Sequence, residues 1–358
     1  MTFRKLAVIA ASAIFAGAGY VAPAFAQTSF EGKTIRIAVN FAAGGPADLR
    51  CRQFAPYIAK YAPGNPTIIV ENRADAAGMV GANSLFNAAK PDGLTIGFLV
   101  GITTQGLIGG DSIKFDPAKF RWLGAVPQTQ VLLARKDLKL AAPHDLRNPA
   151  LPLILANTGA NSTTGMANRL FLNMIGASYR HVTGFPGQAD SVLALARGEV
   201  NLDNGGLTAY LARRDAIRQE GLDDAIVQRG EFDPDGTFRR NRLIPEIPTM
   251  PETIAELNPA ALKSVEFTSY RSIVGAFAVH FGLMLPPGAS DATVQTLGKA
   301  AGAALNDPEA RRLVQDKLKT EYDFVDGPTA EGVIARLRSE YEADPRIGAR
   351  LNQLMTSK

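Results

Sequence analysis

The residues that could perform chemistry in this 358-residue chain are few and far apart. Its histidines are His144, His181 and His280, and its one cysteine is Cys51. Nucleophilic catalysis needs a nucleophile beside a base, and a thiolate zinc site needs several ligands close together. The sequence has no G-x-S-x-G elbow, no H-E-x-x-H pair and no Walker loop. We therefore expect no catalytic residue, no bound metal and no cofactor.

Ser162 and Cys51 are the two candidate nucleophiles. Ser162 stands where a helix is predicted to begin, and its hydroxyl is better explained as a helix cap. Cys51 lies one turn into the first predicted helix, where the helix dipole favours a thiolate, but no general base is near it in the sequence. A secreted hydrolase using either residue is the weakest of the functions that stay open.

Charge and composition exclude further classes of protein. Lys and Arg number 38 against 34 Asp and Glu, a net charge of +4 that is too small for the basic surface of a nucleic-acid binder. The acidic turn that begins at Glu231 resembles a calcium loop, but position 242, where the last acidic ligand would stand, is Arg242. We predict that the charged, turn-rich stretch 220–242 is a solvated excursion.

Short apolar segments alternate with helical patterns in both halves of the chain, and most of the segments end in polar, Gly-containing turns. Such βαβ alternation predicts an α/β fold, and ligands of open α/β sheets bind beyond the carboxyl ends of the strands. Two sheets whose loop edges face each other would form a cleft. The predicted strands are 34–40, 67–70, 95–100, 153–156, 179–182 and 200–203.

The first 26 residues have the pattern of a secretory signal peptide. Arg4 and Lys5 precede an apolar run over 6–18, and Ala24-Phe25-Ala26 provides small residues before the cleavage point. The run is shorter than the roughly 20 residues a spanning helix needs. We expect cleavage after Ala26 and a periplasmic mature chain.

Three segments of the mature chain resemble one family. They are FAAGGPAD at 41–48, VENR at 70–73 with AGMVGA at 77–82, and PDGLT at 91–95. These motifs look like those of the extracytoplasmic solute receptors of tripartite tricarboxylate transporters, the Bug receptors. The resemblance continues through the Asn161-Ser162 turn, GEVNLD at 198–203, LPPG at 285–288 and NDP at 306–308, so it covers most of the mature chain.

The resemblance implies a two-lobed, Venus-flytrap periplasmic binding protein, with a ligand cleft between two mostly parallel sheets flanked by helices. Lobe 1 would comprise 27–127 and 279–358, and lobe 2 would comprise 128–278. Such a receptor is not an enzyme: it captures a small carboxylate, either a di- or tricarboxylate or an aromatic acid, and delivers it to the membrane permease subunits of the transporter. We expect a monomer that binds no nucleic acid.

The resemblance also implies which residues hold the ligand. They lie in Gly-rich or hydroxyl-rich turns, two of which open helices whose free N–H groups suit an anion. Arg271 is an alternative source of ligand charge. The implied ligand-binding residues are Phe41, Ala43, Gly44, Gly45, Asp48, Thr103, Thr104, Asn161, Ser162, Thr163, Thr164, Gly184, Phe185, Asn204 and Gly205.

A periplasmic sensor module that presents its closed form to a histidine kinase uses the same kind of cleft. The sequence does not separate this function from transport, and it does not name the solute.

Overall fold

The computed structural model describes residues 28–73, 78–159, 162–185, 188–220, 223–232, 237–318 and 323–356. The predicted signal peptide, 1–26, lies outside the described residues. No helix in the described part of the chain is long and apolar enough to cross a membrane.

Strands and helices alternate along much of the chain. The strands are β1 (Thr34–Val39), β2 (Thr67–Asn72), β3 (Thr95–Val100), β4 (Arg121–Val126), β5 (Gln130–Arg135), β6 (Leu153–Ala156), β7 (Tyr179–Val182), β8 (Leu202–Gly206), β9 (Asp223–Gln228), β10 (Glu231–Phe232), β11 (Phe238–Arg239), β12 (Phe281–Leu285) and β13 (Val325–Asp326). The helices are α1 (Pro46–Tyr61), α2 (Met79–Ala88), α3 (Ile102–Ile108), α4 (Thr163–Met174), α5 (Gln188–Arg197), α6 (Leu207–Glu220), α7 (Met250–Leu257), α8 (Val265–Phe277), α9 (Asp291–Asn306), α10 (Pro308–Leu318), α11 (Gly327–Ala343) and α12 (Pro345–Thr356).

The first sheet has six strands in the order β13-β4-β12-β3-β1-β2. Strands β1, β2 and β3 run parallel, whereas β12 pairs antiparallel to both β3 and β4. Alternation in β1 directs Ile35, Ile37 and Val39 into a core shared with α1 and α9, where Phe54 and Leu297 are also buried. Helices α2 and α11 cover the opposite face of this sheet.

The second sheet has five strands in the order β7-β6-β8-β5-β9. Strands β6, β7 and β8 are parallel, and β5 pairs antiparallel with β8 and β9. One face packs on α4 and α8, and the other packs on α5 and α6. Both sheets are therefore mixed and flanked by helices, which matches the expected two-sheet α/β class. They are less parallel than predicted because the strands next to the crossovers run antiparallel.

The chain passes between the two sheets at two adjacent points. It leaves the first sheet after Val126 and enters the second at Gln130, and it returns from the end of α8 at Phe277 to β12 at Phe281. A hydrogen bond from the Gln128 N–H to the Phe277 carbonyl (3.0 Å) ties the two crossovers together. The crossovers therefore form one hinge region.

The described part of the stretch 220–242 is only in part the solvated excursion that its charges predict: Thr237, Arg239, Arg240 and Arg242 are exposed, but the preceding segment joins the second sheet. Residues 223–228 form β9, the edge strand of the second sheet, and Val227, Gln228 and Arg229 are buried. The Gln228 side-chain amide donates to the carbonyls of Ile244 (3.0 Å) and Ile247 (2.6 Å), which holds the following loop against the sheet. The prediction was wrong for β9 because acidic and basic neighbours hid a short apolar segment.

The last helix packs against the second sheet's helices, although the domain prediction assigns its residues to lobe 1. Ile347, Leu351 and Leu354 of α12 are buried in the same core as α4 and α8. Helix α11, by contrast, packs mainly on β4 of the first sheet. The lobe boundaries themselves stay a prediction.

Candidate ligand-binding cleft

The strand registers show that the carboxyl ends of the parallel strands lie at the hinge in both sheets. In the first sheet Phe281, where the chain has just returned, pairs with Val100 at the end of β3 and with Val126 at the end of β4. In the second sheet Gln130, where the chain has just arrived, pairs with Gly206 at the end of β8. The loops that follow the parallel strands therefore lie beside the hinge on both sheets, where α/β proteins bind ligands.

The first of these loops connects β1 to α1 and contains four predicted ligand residues, and a fifth, Asp48, lies in the first turn of α1. Gly44 has φ +77°, a left-handed conformation that favours glycine, and Gly45 is the extended residue before Pro46 at the start of α1. Phe41, Ala43 and Gly44 are exposed. The loop thus presents backbone at the amino end of a helix.

The side chain of Asp48 holds this loop in place through hydrogen bonds. Its carboxylate is 2% exposed and accepts hydrogen bonds from the Gly44 N–H, the Arg52 Nε–H and the Asn72 Nδ2–H, each at 2.9 Å. Burial alone would raise the pKa of Asp48, but the hydrogen bonds from Arg52, Gly44 and Asn72 outweigh it and hold the pKa below its ordinary value. The carboxylate therefore stays ionised and shapes the turn.

The ends of β1 and β3 are joined by a buried amide. Asn40 donates through Nδ2 to the Val100 carbonyl (3.1 Å) and accepts the Val100 N–H at Oδ1 (2.9 Å). Directly after β3, Gly101 has φ +71°, and Thr103 and Thr104 follow in the first turn of α3 with 3% and 2% exposure. The two predicted threonines are thus held at the hinge edge of the first sheet, largely shielded from solvent.

The loop before α4 supplies the predicted residues of the second sheet. Ser162 is the helix cap, since its Oγ accepts the Gly165 N–H (3.3 Å), and Thr163 and Thr164 form the first turn. Asn161 lies outside the described residues. The capping role that the sequence favours for Ser162 is confirmed.

A glycine allows α4 to start close to β6. A Cβ at position 165 would stand 1.8 Å from the Asn157 Nδ2, so only glycine fits there. Asn157 is 2% exposed and its Nδ2 lies 3.0 Å from the His181 Nε2. Burial, with a contribution from the Arg169 charge, lowers the pKa of His181 to about 4. The imidazole is therefore neutral near pH 7.

The remaining predicted residues differ in their accessibility. Gly184 is exposed with φ +105°, and Phe185 packs partly against the core beneath α5 and α6. Asn204 and Gly205, predicted as a turn, instead lie within β8, where they pair with Leu132 and Val131 of β5. The Asn204 carbonyl accepts a hydrogen bond from the Gln188 side chain (2.7 Å). Their contact with a ligand stays a prediction.

Arg229 is the main residue that the sequence reasoning missed. It follows β9, is 2% exposed, and donates from Nη2 to the Thr164 carbonyl at 2.7 Å. An arginine between an apolar segment and Gly230 could have indicated this position, but the residue lies inside the stretch that the sequence analysis interpreted as solvated. The structure places this cation against the first turn of α4, beside the predicted ligand residues.

Arg229 is one end of a stack of side chains that crosses the hinge. Its guanidinium lies 4.8 Å from the Phe277 ring centre, and the Phe277 ring stacks on His280 at 4.6 Å. His280 meets Phe281 edge-on at 4.9 Å, and the guanidinium of Arg50 lies 4.1 Å from the Phe281 ring centre. We call this the hinge stack. It joins α1 of the first sheet to the end of β9 in the second.

The middle of the hinge stack carries no charge near pH 7. Burial, together with the positive charges of Arg50 and Arg229, lowers the pKa of His280 to about 3. The Nη2 of Arg50 lies 3.4 Å from the Thr208 hydroxyl of α6, which adds a polar contact between the two sides. A small crevice of about 50 Å³ opens beside this contact and is lined in part by Thr129, Glu231 and Arg50.

Two other candidates from the sequence are Arg271 and Cys51. The Arg271 guanidinium lies over the rings of Phe232 (5.5 Å) and Phe238 (5.9 Å), so the alternative source of ligand charge packs on aromatic rings. Cys51 is 2% exposed, and burial raises the pKa of its thiol to about 12. A thiol in this state is a poor nucleophile. Among the described residues, no cluster of His, Cys, Asp and Glu could hold a metal ion.

The chain resembles several proteins of known sequence or structure, although no family model matches it. A UPF0065 protein of Bordetella pertussis is 28% identical over 291 residues, which cover 78% of this chain and 79% of that protein. A TctC solute-binding protein from Polaromonas has a TM-score of 0.65 at 18% identity, over 91% of this chain and 100% of that one.

Two further solved structures share the fold. MatC from Rhodopseudomonas palustris, with bound malate, has a TM-score of 0.60 at 21% identity, over 89% of this chain and 98% of that one. The periplasmic binding protein BugD has a TM-score of 0.61 at 21% identity, over 90% of this chain and 97% of that one. The expected resemblance to the receptors of tripartite tricarboxylate transporters is confirmed, and the fold is that of these two-lobed binding proteins.

Proposed function

From the two-lobed fold that this chain shares with TctC and BugD, we propose that it is a periplasmic receptor that binds a small carboxylate. One observation carries the proposal: the carboxyl-end loops of both sheets lie at a single hinge. A ligand bound between these loops would contact both sides of the hinge at once. This is the arrangement that a closing cleft requires.

The chemistry of the loops supports an anionic ligand. The β1–α1 loop presents backbone at the amino end of α1, and the loop before α4 does so at the amino end of a twelve-residue helix. The first-turn N–H groups that the caps do not bind, together with the helix dipole, favour a carboxylate at both places. The predicted residues of these loops and of the β3–α3 and β7–α5 turns are proposed to form the contacts. The malate bound to MatC is in keeping with this class of ligand.

Closure would follow from the difference in ligand affinity between the open and closed forms. A ligand that contacts only one lobe shifts no equilibrium, whereas one that contacts both favours the closed form by that added affinity. The closed receptor would then deliver its carboxylate to the permease subunits of a tripartite transporter. Export by the predicted signal peptide would place the receptor in the periplasm.

Thermal unfolding of the mature chain with a panel of solutes tests this function. The panel would contain malate, succinate, adipate, citrate and benzoate, with glucose as a neutral control and putrescine as a cationic control that lacks a carboxylate. A carboxylate at about 100 times its Kd should stabilise the native state by about 2.7 kcal/mol and raise Tm by several degrees. A response to glucose or putrescine with none to any carboxylate would contradict the proposal.

A further inference from the structure

We propose that Arg229 binds the carboxylate of the ligand directly, through its Nε and Nη1 groups, and so makes the cleft selective for acids over their amides. This inference rests on the proposed function and goes further by naming the ionic contact. None of the residues implied by the family resemblance carries a positive charge. Arg229 would supply the charge that those loops lack.

The backbone and side chain of Arg229 are fixed at the hinge edge of the second sheet. Its N–H donates to the Gln130 carbonyl (3.0 Å), and its own carbonyl accepts the Tyr270 hydroxyl (2.7 Å). Its Nη2 is anchored to the Thr164 carbonyl (2.7 Å) and lies 3.4 Å from the Asn168 Oδ1. A guanidinium held at this many points is preorganised, so a ligand would not have to order it.

The same guanidinium has unused hydrogen-bonding capacity. Its Nε and Nη1 atoms are buried and have no hydrogen-bond acceptor among the described residues. No carboxylate in the described part of the chain forms an ion pair with Arg229. Because a guanidinium has five N–H donors and a buried charge is costly without a partner, such an arrangement favours an anion.

The surroundings of Arg229 strengthen its attraction for an anion. Burial lowers its pKa to about 10, which still leaves the group fully charged near pH 7. Its aromatic neighbour Phe277 and the neutral His280 provide a surface of low polarity, in which a charge-assisted hydrogen bond is stronger than in water. The Arg50 guanidinium adds a second positive charge at the other end of the hinge stack.

The test compares Arg229→Gln and Arg229→Lys with wild type by calorimetric titration. The probe is whichever of malate, succinate, adipate, citrate or benzoate stabilises the wild type most, together with its monoamide (for benzoate, benzamide). The Gln variant should bind the acid at least about 30-fold more weakly, and its preference for acid over amide should fall towards one. The Lys variant keeps a point charge, so it should bind about tenfold more weakly and still prefer the acid.

Arg169→Gln is the matched control, because Arg169 is also a buried arginine (6% exposed) of α4 and its Nη1 donates to the Leu354 carbonyl of α12. Its Kd should stay within threefold of wild type. A folded Arg229→Gln protein whose Kd is within threefold, or whose affinities for acid and amide fall equally, overturns the inference while leaving the proposed function intact. No response of the wild type to any carboxylate would remove both.

If Arg229→Gln does not fold, side-chain ¹⁵N spectra of the wild type decide. The Arg229 Nε–H resonance, assigned by its loss in the Lys variant, should move on addition of the probe acid. A resonance that stays in place at saturation overturns the inference.

Discussion

Asp48→Ala should weaken both the native state and ligand binding, because one carboxylate holds the whole β1–α1 loop. The substitution removes acceptors from the Gly44 N–H, the Asn72 amide and the Arg52 guanidinium. Gly44 is exposed and Asn72 half-buried, so water replaces part of each bond and we assign about 1 kcal/mol to each. Arg52 is half exposed and adds about 0.5 kcal/mol. The expected loss of unfolding free energy is about 2 to 3 kcal/mol.

The single tryptophan makes the measurement direct. Trp122 is buried in β4 of the same sheet, so its fluorescence in urea reports the unfolding of the part of the protein that contains Asp48. Asp307→Ala is the matched control: Asp307 is 4% exposed and accepts from Lys60 (2.9 Å) and Tyr61 (2.7 Å), but it lies at the start of α10. Both variants should lose stability, and only Asp48→Ala should lose affinity for the probe carboxylate.

The pH dependence checks the electrostatic part of this reasoning. The native pKa of Asp48 lies below its ordinary value of 3.8, so the unfolded chain takes up the proton first as the pH falls. The contribution of the carboxylate is therefore complete well above pH 3.8 and is lost as the pH falls below it. Asp48→Asn should lack this dependence. A loss below 0.5 kcal/mol at pH 7, or an acid profile equal to that of wild type, would refute the account.

Four further predictions concern the second loop, the thiol and the hinge. Ser162→Ala should cost about 1 kcal/mol in urea unfolding, since the Gly165 N–H loses its cap, and should also raise the Kd for the carboxylate; no change in either measurement would contradict this. Gly165→Ala should cost more than 2 kcal/mol by the same assay, because its Cβ overlaps Asn157, and Asn157→Ala should recover part of the loss; equal stability of single and double variants would exclude the clash. Cys51 should resist a thiol reagent at pH 8 in the native state and react in urea, and native labelling at the unfolded rate would show that it is not buried. Because the native pKa of His280 is about 3, below the 6.5 of an ordinary histidine, wild-type stability should fall between pH 6.5 and 3, and His280→Phe should reduce that dependence; identical slopes would contradict it.

Much of the fold follows from local pattern. The alternation in 34–40 predicts β1 to within one residue, and the FAAGGPAD segment predicts a turn that opens a helix at Pro46. These signals are local because they depend only on the spacing of apolar side chains and on Gly and Pro residues, whose backbone preferences are the same in any fold. The antiparallel crossover strands were not predicted, since pairing direction depends on which distant segment lies alongside.

The residue that the sequence analysis missed, Arg229, also depends on contacts between distant segments of the chain. Arg229 lies 65 positions from Thr164 in sequence, and only the pairing of β9 with β5 brings them together. The charged neighbours of β9 also made it look like a loop, although an edge strand tolerates charge at its ends. The sequence therefore predicts turns that lie beside the hinge, and it does not reveal the buried cation next to the first turn of α4.

Helix α12 adds a third point at which the chain passes from one side of the hinge to the other. The turn around Asp344 carries the chain from α11, which packs mainly on β4, to α12, which packs on α8 and α4. Two adjacent crossovers alone would let the lobes both bend and twist about them. If the receptor closes about this hinge as proposed, a third connection would restrict twisting of the lobes more than bending. The lobes would then close along one arc, so the loops of the two sheets would reach a bound ligand in the same relative position each time the receptor closes.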